Sequence, residues 1–314
     1  MHHILRYLLT PLFLATALLS NAQEKPKPTT QAPPKGVKHV VIVSIDGGKP
    51  AVIHDTEMPV IKRLAAEGAH TWKAFTIFPS ITLPSHTSML TGLDYEQHGI
   101  TWNGFQPLKG LVKHPTIFSL AKEKGHTTAM FVGKVKFRHL WLPGSLDDFD
   151  FGGAQPEGEP SKQNEGAVAT TQTVAKNAAA YIVAKKPDLT FIHLPDTDVA
   201  GHRDGWGSPQ QQEAFRVTDQ ALGQIEKAIQ EAGIGSETVL IISADHGGHD
   251  KTHGSREPYD MEIPWIAFGK GVKKKLELQQ QIYTYDTAAT ALWLLGVPIP
   301  AEFKGHPVVE AFGE

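Results

Sequence analysis

Apolar positions along this chain follow two rhythms that take turns from residue 37 onward. Short β-branched runs at Val37 to Ile45, His126 to Val132, Asp188 to Leu194, Thr238 to Ser243 and Glu262 to Phe268 predict strands. The first is apolar almost throughout, as a strand buried on both faces of a parallel sheet must be. Between the strands, apolar residues fall at helical spacing: Met58 to Ala69, Thr116 to Lys124 ended by Gly125, Gly166 to Lys185, Gln210 to Ala232 closed by Gly233, and Tyr283 to Leu295. This alternation predicts an α/β fold with a mainly parallel central sheet and helices on both faces, as one domain over residues 37–314. The irregular, charged stretch from Gly133 to about residue 165 breaks the rhythm and is expected to form a small cap beside the site.

The first residues follow neither rhythm. Arg6, the apolar run Leu8 to Leu19 and the small residues Ser20-Asn21-Ala22 predict a cleaved export signal over residues 1–22. Pro, Lys, Thr and Gln dominate residues 23–36, which predicts a solvated linker. The expectation is an exported protein, periplasmic or secreted, with no membrane span once the signal is removed. The chain has no cysteine, so packing, with or without metal, must hold it together in an oxidising compartment. A formal net charge of −3 gives no electrostatic footprint for a nucleic-acid backbone, and none is expected as a partner. Nothing in the pattern fixes an oligomeric state.

Chemistry concentrates where strands end. Asp46 follows the first strand, Asp198 and His202 follow a middle one, and Asp245-His246 follow a later one, with His249 and His253 shortly after. Ligands collect at the carboxyl ends of strands in open α/β sheets, and Asp and His at such positions are costly to desolvate unless they have a task. Carboxylates and imidazoles without thiolates suit Zn²⁺ best, with Mn²⁺ or Fe as alternatives at one site, and there are enough of them for two ions. Thr82 lies between Pro79 and Pro84 at a loop-to-helix junction, where free amide N–H groups favour an anion. A Thr hydroxyl is too weak an acid to react unaided, and no Gly-x-Ser-x-Gly elbow is present to suggest a triad.

Ser44-Ile45-Asp46-Gly47, Phe78 to His86, Thr91-Gly92 with His98-Gly99-Ile100, Asp198 to His202, Ser243 to Gly247 and His253-Gly254 together resemble the alkaline phosphatase superfamily, most closely its type I phosphodiesterase/nucleotide pyrophosphatase branch. The resemblance implies an alkaline phosphatase-like three-layer sandwich. It also implies one zinc held by Asp46, Thr82, Asp245 and His246, and a second by Asp198, His202 and His253. Thr82 would then be the nucleophile, forming a covalent phospho-Thr82 intermediate. Asp196 reads as a structural cap and His249 as a competitor of His253. Ser85 stands where the branch is expected to carry an Asn, and is a candidate contact for a phosphoryl oxygen, as is the Leu83 N–H. His98 is expected to fix its loop.

The segment Gly133 to Arg138, which carries Lys134 and Lys136, resembles a Lys-x-Arg element that grips non-bridging oxygens in Thr-nucleophile alkaline phosphatases. Pointing inward the two lysines would favour phosphomonoesters; solvated, as charge clusters usually are, they would leave diester or nucleotide pyrophosphate cleavage ahead. A phosphotransferase or mutase and a non-catalytic metal-binding protein are the alternatives of other classes. Small phosphate esters or nucleotides are the expected substrates.

Overall fold

A computed structural model describes residues 31–150 and 169–313. The proposed export signal and most of the linker, and residues 151–165 of the proposed cap, lie outside the described residues. The strands are β1 (His39–Ile45), β2 (Ala69–Phe75), β3 (Thr128–Val132), β4 (Asp148–Asp150), β5 (Leu189–Leu194), β6 (Thr238–Ala244), β7 (Glu262–Gly269) and β8 (Leu276–Glu277). They form one sheet in the order β4-β3-β5-β1-β6-β7-β2-β8. Among them only β7 runs against its neighbours, β6 and β2. The expected mainly parallel sheet is present.

Among the described residues the helices are α1 (Pro50–Asp55), α2 (Pro59–Glu67), α3 (Thr82–Thr91), α4 (Tyr95–His98), α5 (Ile117–Glu123), α6 (Thr171–Lys185), α7 (Asp196–Asp204), α8 (Pro209–Glu231), α9 (Pro258–Met261) and α10 (Asp286–Leu294). Side chains alternate across a strand, so β1 feeds two cores. Val40 and Ile42 pack with Leu90 of α3, Phe118 of α5 and Leu292 of α10. Val41, Val43 and Ile45 pack with Ile61 of α2, Val174 of α6 and Leu222 of α8. Each fully buried aliphatic side chain contributes about 1.5–3 kcal/mol, so the central strands are the most firmly placed part of the molecule. Helix ends are tied across the layers: the Val60 and Ile61 N–H groups at the start of α2 donate to the Asp219 carboxylate of α8 at 2.9 and 2.8 Å.

Three local features depart from the sequence pattern. β2 was not anticipated, because its Ala-His-Thr-Trp-Lys-Ala-Phe run is half polar and pairs at the weakly covered end of the sheet. Residues Asp196–Asp204 form α7, although the pattern predicts no helix directly after β5. That helix is nine residues long and mostly polar, so it carries little periodicity to read; Gly205, with φ of 105°, ends it. The third lies in the proposed cap, of which residues 133–150 are described. They make a 3-10 turn at Val135–Leu140 and then the edge strand β4.

Candidate active site

The strands β5, β1 and β6 are neighbours at the centre of the sheet, and their carboxyl ends place three carboxylates side by side. Asp46 follows β1 directly, Asp245 follows β6 directly, and Asp198 lies in the first turn of α7 after β5. All three are buried. In each, one oxygen is held by the protein. Asp46 Oδ2 accepts from His193 Nε2 at 2.7 Å and from Lys134 Nζ at 2.6 Å. Asp198 Oδ2 accepts from Lys134 Nζ at 2.5 Å. Asp245 Oδ1 accepts from the Gly47 and His246 N–H groups at 3.0 and 3.1 Å. The other oxygens, Asp46 Oδ1, Asp198 Oδ1 and Asp245 Oδ2, are buried without a hydrogen-bond partner. An unpaired buried carboxylate oxygen is costly, and three of them facing one spot call for a cation.

The imidazoles complete the arrangement. His246, His202 and His253 each donate Nδ1–H to a backbone carbonyl, of Gly247 at 2.7 Å, Lys251 at 2.9 Å and Ser80 at 2.8 Å. That bond leaves Nε2 of each ring facing inward, the atom a metal-binding histidine offers once it is unprotonated. His246 Nε2 lies 3.3 Å from Asp245 Oδ2, 3.5 Å from Asp46 Oδ1 and 3.9 Å from Asp198 Oδ1. His253 Nε2 and His202 Nε2 face each other at 3.1 Å, with Asp198 Oδ1 at 3.7 and 3.3 Å from them. Two groups able to hold a metal ion follow: Asp198, His202 and His253, and Asp46, Asp198 and His246. Asp198 therefore belongs to both, and Asp245 approaches the second group through His246.

Electrostatics point the same way. Burial and the charge of Asp46 push the Asp245 carboxyl up to about 8. Burial alone would lower His246, but Asp245 and Asp46 outweigh it and raise the imidazole to about 9. Burial and the nearby His246 hold His253 down at about 3, neutral and ready to donate its lone pair. Protons and the Lys134 ammonium thus neutralise a pocket whose oxygen and nitrogen donors fit divalent cations.

Thr82 is the first residue of α3, and its Oγ1 lies 3.4 Å from His246 Nε2. The helix is pinned to β1 beneath it: His86 Nδ1 donates to Thr82 O at 2.8 Å while Ser44 Oγ donates to His86 Nε2 at 2.8 Å. The hydroxyl opens onto a cavity of about 400 Å³ lined by Thr82, Asn103, Lys134, Lys136, Asp198, Val199, His202, Arg203 and His253. Both lysines are buried and line that cavity, so the solvated alternative does not describe them. A short 3-10 turn after β3 brings them inward, which no charge pattern could reveal.

Other candidates fall elsewhere. Ser85 is fully buried and does not line the cavity. Its hydroxyl donates to Asp245 O at 2.8 Å and pairs with Thr76 Oγ1 at 2.7 Å, so the contact to a phosphoryl oxygen expected of it has no geometric basis. The residue overlooked was Asn103. Its Oδ1 accepts from the Leu83 N–H at 2.9 Å, which engages that backbone donor and leaves the amide NH₂ of a cavity-lining residue for an incoming oxygen. Its position in a loop outside every periodic segment gave no signal. His249 donates to Asp260 Oδ1 at 2.9 Å and stays outside both groups; Asp196 accepts from the Thr171 N–H at 3.1 Å, as a structural cap would.

Known proteins resemble this chain in sequence and in fold. Residues 40–260 match the family model described as type I phosphodiesterase / nucleotide pyrophosphatase. The chain is 25% identical over 243 residues to a venom phosphodiesterase of Naja atra, covering 73% of this chain and 28% of that protein. It is 26% identical to ectonucleotide pyrophosphatase/phosphodiesterase family member 3 of Rattus norvegicus over 70% of this chain and 26% of that one. It thus spans little more than a quarter of either relative. In fold it resembles murine ectonucleotide pyrophosphatase/phosphodiesterase 5, solved in an inactive form in complex with AMP, with a TM-score of 0.71 at 15% identity over 88% of this chain and 100% of that chain.

Proposed function

Because the chain belongs to the type I phosphodiesterase / nucleotide pyrophosphatase family, we propose that it is a metal-dependent phosphoesterase in which Thr82 Oγ1 is the nucleophile. The observation that carries this is the position of Thr82 Oγ1, 3.4 Å from His246 Nε2 and beside three buried carboxylate oxygens that lack partners. Asp46, Asp245 and His246 would hold one divalent cation with Thr82, and Asp198, His202 and His253 the other; Zn²⁺ suits the donors best. Two such ions would supply positive charge at the attacking and leaving oxygens and lower the pKa of a bound hydroxyl.

The chain's own groups carry the rest. His86 and Ser44 hold the first turn of α3, so the Thr82 oxygen stays aimed at the cavity. Attack by Oγ1 on phosphorus forms the Thr–O–P bond as the bond to the leaving alcohol or phosphate breaks in line. Water then displaces Thr82, returning its hydroxyl and releasing the phosphate product. The Asn103 amide is placed to donate to a non-bridging oxygen in both steps, the kind of preorganised donor that lowers such barriers.

Diester or nucleotide pyrophosphate cleavage is the reading that the family match supports. The inward Lys134 and Lys136 support a second reading, phosphomonoester hydrolysis, because positive charge lining the cavity favours a dianionic substrate. Rates on bis-p-nitrophenyl phosphate, p-nitrophenyl phosphate and a nucleotide p-nitrophenyl ester, with and without added Zn²⁺, separate the two; no Zn²⁺-dependent turnover of any of them would sink both. We infer export from the pattern of residues 1–22. No helix among the described residues is long and apolar enough to cross a membrane.

A further inference from the structure

Three glycines lie next to site residues in sequence, Gly47 after Asp46, Gly201 before His202 and Gly248 two residues after His246, and all three pack on one side chain. That side chain is Trp206, just past the end of α7. A Cβ at Gly248 would fall 2.1 Å from the indole Cε2, one at Gly201 2.8 Å from Cδ2, and one at Gly47 3.1 Å from Cζ2. Three segments from distant parts of the chain have therefore given up a side chain to admit this ring. Its polar atoms tie the same segments: Nε1 donates to Gly47 O at 3.3 Å, and the Trp206 N–H donates to Asp250 O at 2.7 Å.

The ring also touches the more exposed metal-binding group. It meets His202 edge-on with centroids 5.3 Å apart and His253 with centroids 5.8 Å apart. The His202 side chain is 45% exposed on a nine-residue helix, whereas Asp46, Asp245 and His246 are fully buried in the sheet. The two Nε2 atoms lie 3.1 Å apart, so a small shift of either ring changes the separation of the two nitrogens that one cation must share. The sheet fixes the first group; a wedge is needed for the second.

We propose that Trp206 is a positioning residue that presets His202 and His253 and thereby sets the cation affinity of the Asp198/His202/His253 group. This rests on the two-cation reading above. Partners that orient metal ligands change affinity by about 10–100-fold when removed, and Trp206→Ala is expected to weaken one of two cation sites by about that factor. Trp206→Phe keeps an aromatic ring between the three segments while losing the N–H and part of the ring's volume, so its affinity is expected to fall clearly less than that of Trp206→Ala, by about threefold.

The test titrates the full metal-free chain, wild type and both variants, with Co²⁺, reading site number and affinity from the visible d–d bands and folding from far-UV circular dichroism. Support is a folded Trp206→Ala variant with one weakened site, rescued by Phe. Two cations bound at wild-type affinity by Trp206→Ala would overturn the inference and leave the proposed function standing. Equal weakening of both sites, or the same weakening in Phe as in Ala, would also overturn it, since the wedge would then not act on one group through its ring. A wild type that binds no cation would overturn both readings.

Discussion

Lys134 Nζ donates to Asp198 Oδ2 at 2.5 Å inside the protein, and the same ammonium stands 2.6 Å from Asp46 Oδ2. One buried lysine thus bridges a carboxylate of each proposed metal group. Burial would lower its pKa, yet Asp198 and Asp46 outweigh that and hold it charged. Lys134→Met removes the cation and leaves two buried carboxylates uncompensated, which costs about 3–5 kcal/mol when one partner of a buried pair is lost. The metal-free variant should therefore melt well below wild type in EDTA, and saturating Zn²⁺ should close much of the gap. Equal destabilisation with and without Zn²⁺ would show that the lysine does not substitute for a cation there.

Thr82→Ala should lower turnover by about 10³-fold or more, as loss of a nucleophile does elsewhere, with the Zn²⁺ content of the purified protein retained. Thr82→Ser keeps the hydroxyl at the first position of α3 and should keep measurable activity. Substantial hydrolysis by the Ala variant would remove Thr82 from the role of nucleophile.

For Asn103→Ala the expected loss is about 10²–10³-fold in turnover, the usual effect of deleting one oxyanion donor. Metal content should not change, because Asn103 belongs to neither metal-binding group. A loss confined to KM would mean that the amide binds substrate and transition state alike.

How far the sequence revealed the site follows from how locally each part is encoded. Asp46, Asp245 and His246 were legible because β1 and β6 are continuous apolar runs whose ends can be read from the pattern alone. His253 rather than His249 joins the cluster because His249 turns to Asp260, a contact between residues eleven apart whose direction no spacing predicts. Lys134 and Lys136 looked like a solvated charge cluster; only the two carboxylates arriving from other strands make burial affordable. Asn103 was invisible and Ser85 misassigned for the same reason. Both lie near Thr82, but which side chain faces the cavity depends on the loop after α4 and on how α3 is rotated.

His98 gives a pH dependence that does not involve the proposed metal ligands. The residue ends α4, and its Nδ1 accepts from the Ile100 N–H at 3.1 Å, fixing the loop as its sequence suggested. Burial lowers the imidazole from 6.5 to about 4; Asp94 pulls upward and His114 downward, and neither reverses the effect. Below pH 6.5 the unfolded chain takes up a proton that the folded one refuses until about pH 4. Stability from this residue is therefore complete above pH 6.5 and lost as pH falls through that window, by about 3–4 kcal/mol in all. An uncharged acceptor in its place has nothing to titrate. Compared in EDTA, His98→Asn should be less stable than wild type at pH 7.5, and the gap should shrink or invert by pH 4.5. A gap that stays constant across that range in urea denaturation would mean that His98 is not held neutral by its surroundings.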